Sequence, residues 1–195
     1  MLFRSNYFTA DVFATVPAAY IIPQGWHSVT DLLELNGVKM RRLTKDSIVK
    51  VTAYHIADYK SSPRPYEKHH KNTGTMVVSD VESIQFLRGD YVISTSQPAR
   101  RFLVEMLEPT GDDSYFAWNF FDAILQQKEG YSAYRWEDVA GPWLSEHPEV
   151  RALLEEKKRS DSVFAKRAGA QLDFVYKHSP WYEPAHLRYP VYRLD

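Results

Sequence analysis

Ahead of Gln97-Pro98 the apolar residues recur mostly at alternate positions; beyond it they recur at intervals of three and four. The first period belongs to strands with one face on a core, the second to helices with one apolar stripe. Residues 1–17 read as an extended lead-in from an upstream domain, ending at Val16-Pro17. Residues 18–22 form a short strand stopped by Pro23. A helix follows: Ser28 with Asp31 three positions on is a capping-box pattern, and Val29, Leu32 and Leu33 give the apolar face. Asn36-Gly37 ends it. In residues 47–56, Val49, Val51, Ala53 and His55 alternate with Lys50, Thr52, Tyr54 and Ile56. Both sets contain apolar members, so this strand is expected to be covered on both faces. The prolines of Ser61-Ser62-Pro63-Arg64-Pro65 mark a loop, because they remove ladder donors and force extended backbone before them. Residues 75–79, 82–87 and 91–94 read as three more strands, the last two joined by Arg88-Gly89-Asp90 as a tight hairpin turn.

Past Pro98, Phe102, Leu103, Met106 and Leu107 lie on one helical face that ends at Glu108-Pro109. Residues 114–127 read as a helix capped by Ser114 and aromatic on most sides, hence buried or at an interface. Residues 148–158 and 161–178 are the clearest helices, and the tail from Trp181 is expected to run extended along the surface. The fold expectation is α+β: an antiparallel sheet from residues 18–97, packed by helices from residues 98–195, in a single domain spanning 18–195.

Composition narrows the function classes. The 195 residues carry a net charge of −1, so no global field draws the chain to nucleic acid or an anionic membrane. The short basic runs at Lys39–Arg42, Lys68–Lys71 and Lys157–Arg159 read as solvated edges. There is no cysteine, which removes disulfides, thiolate metal sites and cysteine nucleophiles. No segment reaches the roughly 20 apolar residues of a membrane span. Met1 to Ala10 lacks the apolar region of a signal peptide. Aromatic residues reach 14%, a surplus that suits a large core, an interdomain wedge or a stacking surface.

Sequence motifs for catalysis are missing. Neither H-E-x-x-H nor His-x-x-Glu occurs; His55 and Asp58 come nearest, and on a strand that spacing sends them to opposite faces. There is no nucleophile elbow, no phosphate loop and no dinucleotide fingerprint. Arg88-Gly89-Asp90 is explained by its turn position. His69-His70, beside Arg64 and Tyr66, is the most polar loop candidate, with a solvated loop the plainer reading. The aromatic run Tyr115, Phe116, Trp118, Phe120 and Phe121 reads first as a core or interdomain wedge, and otherwise as a glycan- or peptide-stacking surface.

Several stretches carry a family resemblance. Pro17-Ala18-Ala19-Tyr20-Ile21-Ile22-Pro23-Gln24-Gly25-Trp26, Leu35-Asn36-Gly37-Val38-Lys39-Met40 and Tyr54 through Glu67 are followed in order by Gly89-Asp90-Tyr91-Val92-Ile93, Gln97-Pro98-Ala99-Arg100-Arg101, Leu107-Glu108-Pro109, Asp113 through Phe121, Gln127 through Ser132, and Tyr182 through Arg193. Together they resemble the region after the catalytic domain in large zinc-carboxypeptidase-like proteins of Bacteroidetes-type bacteria. The resemblance implies a non-catalytic C-terminal accessory domain of a secreted hydrolase, periplasmic or extracellular, with its upstream carboxypeptidase domain as partner. Zinc and its ligands would lie upstream, and no catalytic or metal residue carries over onto this chain. The candidate ligand or interdomain surface is Arg64, Tyr66, His69, Tyr115, Trp118 and Asn119, with a peptide or glycan as the alternative partner.

Overall fold

The computed structural model describes residues 12–128 and 130–195. These form an α+β fold with a six-stranded antiparallel sheet. The strands are β1 (Ala19–Ile22), β2 (Arg41–Arg42), β3 (Ser47–Ser61), β4 (Asn72–Phe86), β5 (Tyr91–Ser94) and β6 (Tyr192–Leu194). The helices among the described residues are α1 (His27–Leu35), α2 (Arg100–Leu107), α3 (Ala133–Glu146), α4 (Pro148–Ser160) and α5 (Ala168–Lys177). The chain divides into two compact units: the residues up to Gln126 together with Leu187–Asp195, and Gln127–His186. The change of period at Pro98 therefore falls inside the first unit. Each unit has its own apolar cluster.

The sheet order in the first unit is β2-β5-β1-β6-β3-β4. The tail expected on the surface instead threads β6 between β1 and β3, with Tyr189, Val191 and Tyr192 buried. Tyr189 and Val191 pack on one face and Tyr192 and Leu194 on the other, which suits a central strand, a pattern hidden by Pro190. Residues 75–79 and 82–87 are not separate strands. They lie within one 15-residue β4 paired along β3, because nothing in Asp80-Val81 breaks the ladder. The Arg88-Gly89-Asp90 turn is likewise no hairpin: β4 and β5 are not neighbours in the sheet. Four residues join strands four places apart, a distance of roughly 19 Å in a flat sheet. A turn cannot span that, so the sheet is coiled and its edges approach at this end. Phe86 of β4 accordingly meets Tyr192 of β6, ring centroids 5.1 Å apart, in a cluster with Ile21, Val51, Ala53 and Val92. Gly89 turns here at φ 102° beside the Gln24 side chain, where a Cβ would sit 2.8 Å from an amide oxygen.

Both sheet faces are covered, as the β3 pattern implied. Tyr20, Ile22, Ile56, Ile93 and Val191 face α1, α2 and the aromatic segment that follows α2. α1 begins two residues earlier than the capping pattern suggested: Trp26 occupies the cap position and Ser28 lies inside the helix without a capping bond. Its end matches expectation. Gly37 at φ 75° donates to Glu34 O and Val38 donates to Leu33 O, the paired bonds that close a helix on a left-handed residue.

Residues 114–127 are a chain of turns with one 3₁₀ turn (Asp122–Ile124) rather than an α-helix. Ser114 does act as a cap, accepting the Ala117 N–H at 3.1 Å. Asn119 then adopts φ 67° and ends the helical path, a conformation asparagine tolerates better than most residues.

In the second unit α3, α4 and α5 enclose Trp136, Trp143, Val150, Leu154, Phe164 and Val175. The helix expected over 161–178 is broken. Asp161 caps a short 3₁₀ turn (Phe164–Lys166) through the Val163 and Phe164 N–H groups, and α5 starts afresh after Arg167. α3 carries Pro142 in its interior.

Candidate functional site

Three polar or aromatic constellations stand out in the first unit. The first gathers most of the surface residues singled out in the sequence. Residues 62–71 join β3 to β4, and their tip is a two-residue turn: Tyr66 and His69 exchange N–H···O bonds of 2.9 Å in both directions. Glu67 and Lys68 between them adopt φ 49° and 70°. Two consecutive non-glycine residues in the left-handed region are costly, and such strain persists where the surroundings enforce it. The turn aims Tyr66 and His69 at Trp118, with ring centroids 6.3 and 5.6 Å away. His69 also stacks on Phe120. Lys71 Nζ lies 4.9 Å from the centre of the Trp118 ring and 3.1 Å from Asp113, which also accepts the indole N–H at 3.3 Å. The hydrogen bonds from Lys71 and Trp118 hold the Asp113 carboxyl below its ordinary value.

Asn119 fastens the loop by donating to His70 O at 2.9 Å, while its own Oδ1 is enclosed without a partner. Arg64 is exposed and does not join the ring cluster. Tyr115 is buried, with only 3% of its surface exposed, and belongs to the core against Phe120. It therefore cannot offer a stacking face. The buried hub of this region was not apparent from sequence: Asn72 donates to Phe116 O and Asp122 Oδ1, both at 3.1 Å, and accepts from Ser61 Oγ at 2.7 Å. An asparagine at the first position of a strand gives no signal that distinguishes it from a turn residue.

The second constellation is ionic and buried. Glu108, at the end of α2, accepts the Tyr20 O–H at 2.7 Å and lies 3.5 Å from Arg193 of β6. Arg193 also donates to the Tyr54 hydroxyl and, at 2.5 Å, to Thr15 O; Asp195 stands 3.4 Å away. Burial pushes the Glu108 carboxyl above its ordinary value of 4.5, against the lowering effects of the Tyr20 hydrogen bond and Arg193. Burial first, then Glu108, pushes the Tyr20 hydroxyl far upward. This carboxyl sits at the Glu-Pro that ends the helical stripe, a place where sequence suggests only a solvated terminus.

The raised carboxyl has a signed consequence. A folded state that holds this proton more tightly than the unfolded chain loses stability as pH rises through the window between the two pKa values. Glu108→Gln keeps an acceptor for Tyr20 and removes the titration. The unfolding free energy of the wild type relative to this variant should fall as pH rises from about 4, the ordinary glutamate range, through the raised value. Urea melts across that range test it, and a flat or rising difference would contradict it.

The third constellation lies on the other sheet face. His55 does not pair with Asp58. It meets Glu82 across the β3–β4 ladder at 2.6 Å, and Arg188 approaches the same carboxylate at 3.5 Å. Among the described residues, no group of three or more His, Asp or Glu side chains is placed to hold a metal ion. Among them, too, no helix is long and apolar enough to cross a membrane.

Comparison with protein-family models, with curated proteins and with solved structures finds no match to this chain.

Proposed function

We propose that this chain is a non-catalytic accessory module of a secreted zinc-carboxypeptidase-like hydrolase, seated against the catalytic domain through the β3–β4 arm and its Tyr66 tip. The observation that carries the reading is the free edge of β4. This strand runs for 15 residues at the margin of the sheet. Its sequence holds neither lysine nor proline, the residues that usually guard an edge. Met76, Val78 and Val81 are exposed to 58%, 53% and 63%. Unpaired backbone groups flanked by exposed apolar side chains form a template for strand addition by another polypeptide. The strained turn and exposed Tyr66 extend the same arm. The identity of the partner rests on the ordered resemblance described above, and zinc is assigned to that upstream domain.

Two measurements test this. The outward amides of β4 should exchange rapidly in the present chain and become protected in a product that also carries the upstream domain. Equal exchange in both would remove the docking surface. Release of C-terminal amino acids from a peptide by the present chain with added zinc would contradict the non-catalytic reading.

The alternative, a glycan platform at Tyr66, Tyr115 and Trp118, has less support. Tyr115 is buried, and the Tyr66 and Trp118 rings are tilted by 43° rather than coplanar.

A further inference from the structure

The concave aromatic surface of this protein lies in the second unit. A recess of about 580 Å³ opens beside α3 and α5, lined by Tyr131, Ser132, Arg135, Trp136, Tyr176 and Trp181 among others. That volume falls within the range of small-molecule sites, roughly 300–1,000 Å³. The rings form a box in which Trp136 and Tyr176, 5% and 3% exposed, are the buried backing and Tyr131 and Trp181 the accessible faces. Trp136 meets Trp181 at 5.3 Å and 68°, and Tyr176 at 5.6 Å and 83°; Tyr131 meets Tyr176 at 4.6 Å and 48°. The inner polar groups are already committed to the backbone. Trp136 donates its indole N–H to Leu172 O at 3.1 Å, and Tyr176 donates its hydroxyl to Trp181 O at 3.0 Å. The second bond anchors the stretch that carries Trp181, so the box exists before any ligand arrives. Trp181 remains 53% exposed, a large apolar surface left to water.

Charge decides what such a box takes. A bare aromatic cage suits a cation, because ring faces carry negative potential. Here Arg135 lines the same recess, and no acidic side chain among the described residues pairs with it. A guanidinium there repels a cation and offers a planar fork to a carboxylate. The complementary ligand has a body with slightly positive C–H groups, a carboxylate, and hydroxyls for Ser132 and Tyr131. We infer that the Tyr131–Trp181 recess binds a carboxylated pyranose, a uronic-acid-type sugar, with the ring against the exposed Trp181 indole and the carboxylate on Arg135.

The inference is independent of the β4 docking surface and is tested on the present chain. Tryptophan fluorescence is titrated with trigalacturonate, with the neutral trisaccharide maltotriose and with benzoate. Saturable quenching by trigalacturonate is expected, at least about tenfold tighter than for maltotriose, as the loss of one charge-assisted contact implies. Arg135→Gln, at an exposed position that leaves the core intact, should reduce trigalacturonate to the neutral level. Trp181→Ala should abolish binding by both sugars. No saturable change with trigalacturonate up to about 10 mM would overturn the site. Equal affinity for maltotriose, or no effect of Arg135→Gln, would overturn the charge assignment, and equal affinity for benzoate would overturn the sugar.

Discussion

Replacing Arg193 with alanine should cost about 3–5 kcal/mol of unfolding free energy, the range for removing one partner of a buried ion pair. The residue is 6% exposed and its side chain connects four places in the chain: Glu108 at the end of α2, Tyr54 of β3, the backbone at Thr15, and Asp195. Without it the Glu108 carboxylate keeps only the neutral Tyr20 and Tyr54 hydroxyls and would take up a proton more readily still, which limits the loss at acidic pH. Denaturant melts should show a lower midpoint at unchanged slope, since the surface exposed on unfolding hardly changes. A double-mutant cycle with Glu108→Gln isolates the pair: the second substitution should cost less in the Arg193→Ala background than in the wild type. Additive losses, or a loss below about 1 kcal/mol for Arg193→Ala, would mean that strand pairing alone holds the tail in the sheet.

Truncation of Phe121 to alanine is expected to be of similar size, about 3–5 kcal/mol. Phe121 is fully buried and sits edge-on between Trp26 and Tyr189, with both centroids 5.0 Å away. It therefore joins the entry to α1, the turn-rich segment after α2 and the returning tail. Its removal leaves a cavity bounded by two rings whose backbones are fixed by the sheet and by α1, so collapse into the space is restricted. Phe121→Leu, which keeps more of the volume, should retain over half of the lost stability. Trp26 should report the change as altered near-ultraviolet circular dichroism. A loss under about 1 kcal/mol for the alanine variant would show that the site closes over the gap.

The two stability predictions meet on one feature that sequence reasoning missed, the return of the C-terminal tail. Residues 187–194 contain an alternating apolar pattern, but it is three residues long as a strand and preceded by Tyr189-Pro190. A segment so short gains its stability from the partners β1 and β3, and no local signal records which strands those are. The same reason explains the Arg88-Gly89-Asp90 turn. Its local chemistry showed that the chain reverses there, yet whether the flanking strands pair depends on the coil of the whole sheet. Pro142 concealed α3 in the same way: a proline argues against a helix interior, and tertiary packing of Trp136, Ala140 and Trp143 outweighs it. Of the surface residues singled out in the sequence, Tyr66, His69, Trp118 and Asn119 do come together. Tyr115 goes to the core and Arg64 stays apart, because aromatic identity says nothing of which side of an irregular segment a ring takes.

What the sequence determined by itself was the local grammar: the strand at 19–22, the glycine stop of α1, the proline loop before residue 66, the two-sided character of β3 and the α+β class. These depend on backbone sterics and on periodicities of two and 3.6, which act over a few residues. Tertiary structure alone decided the strand order, the division into two units, the pairing of Glu108 with Arg193 and the gathering of Trp136, Tyr176 and Trp181 around one recess. Each of these joins residues far apart in the chain. Such contacts are selected by the burial of a shared core and by the pairing of buried charge, and both are properties of the assembled fold.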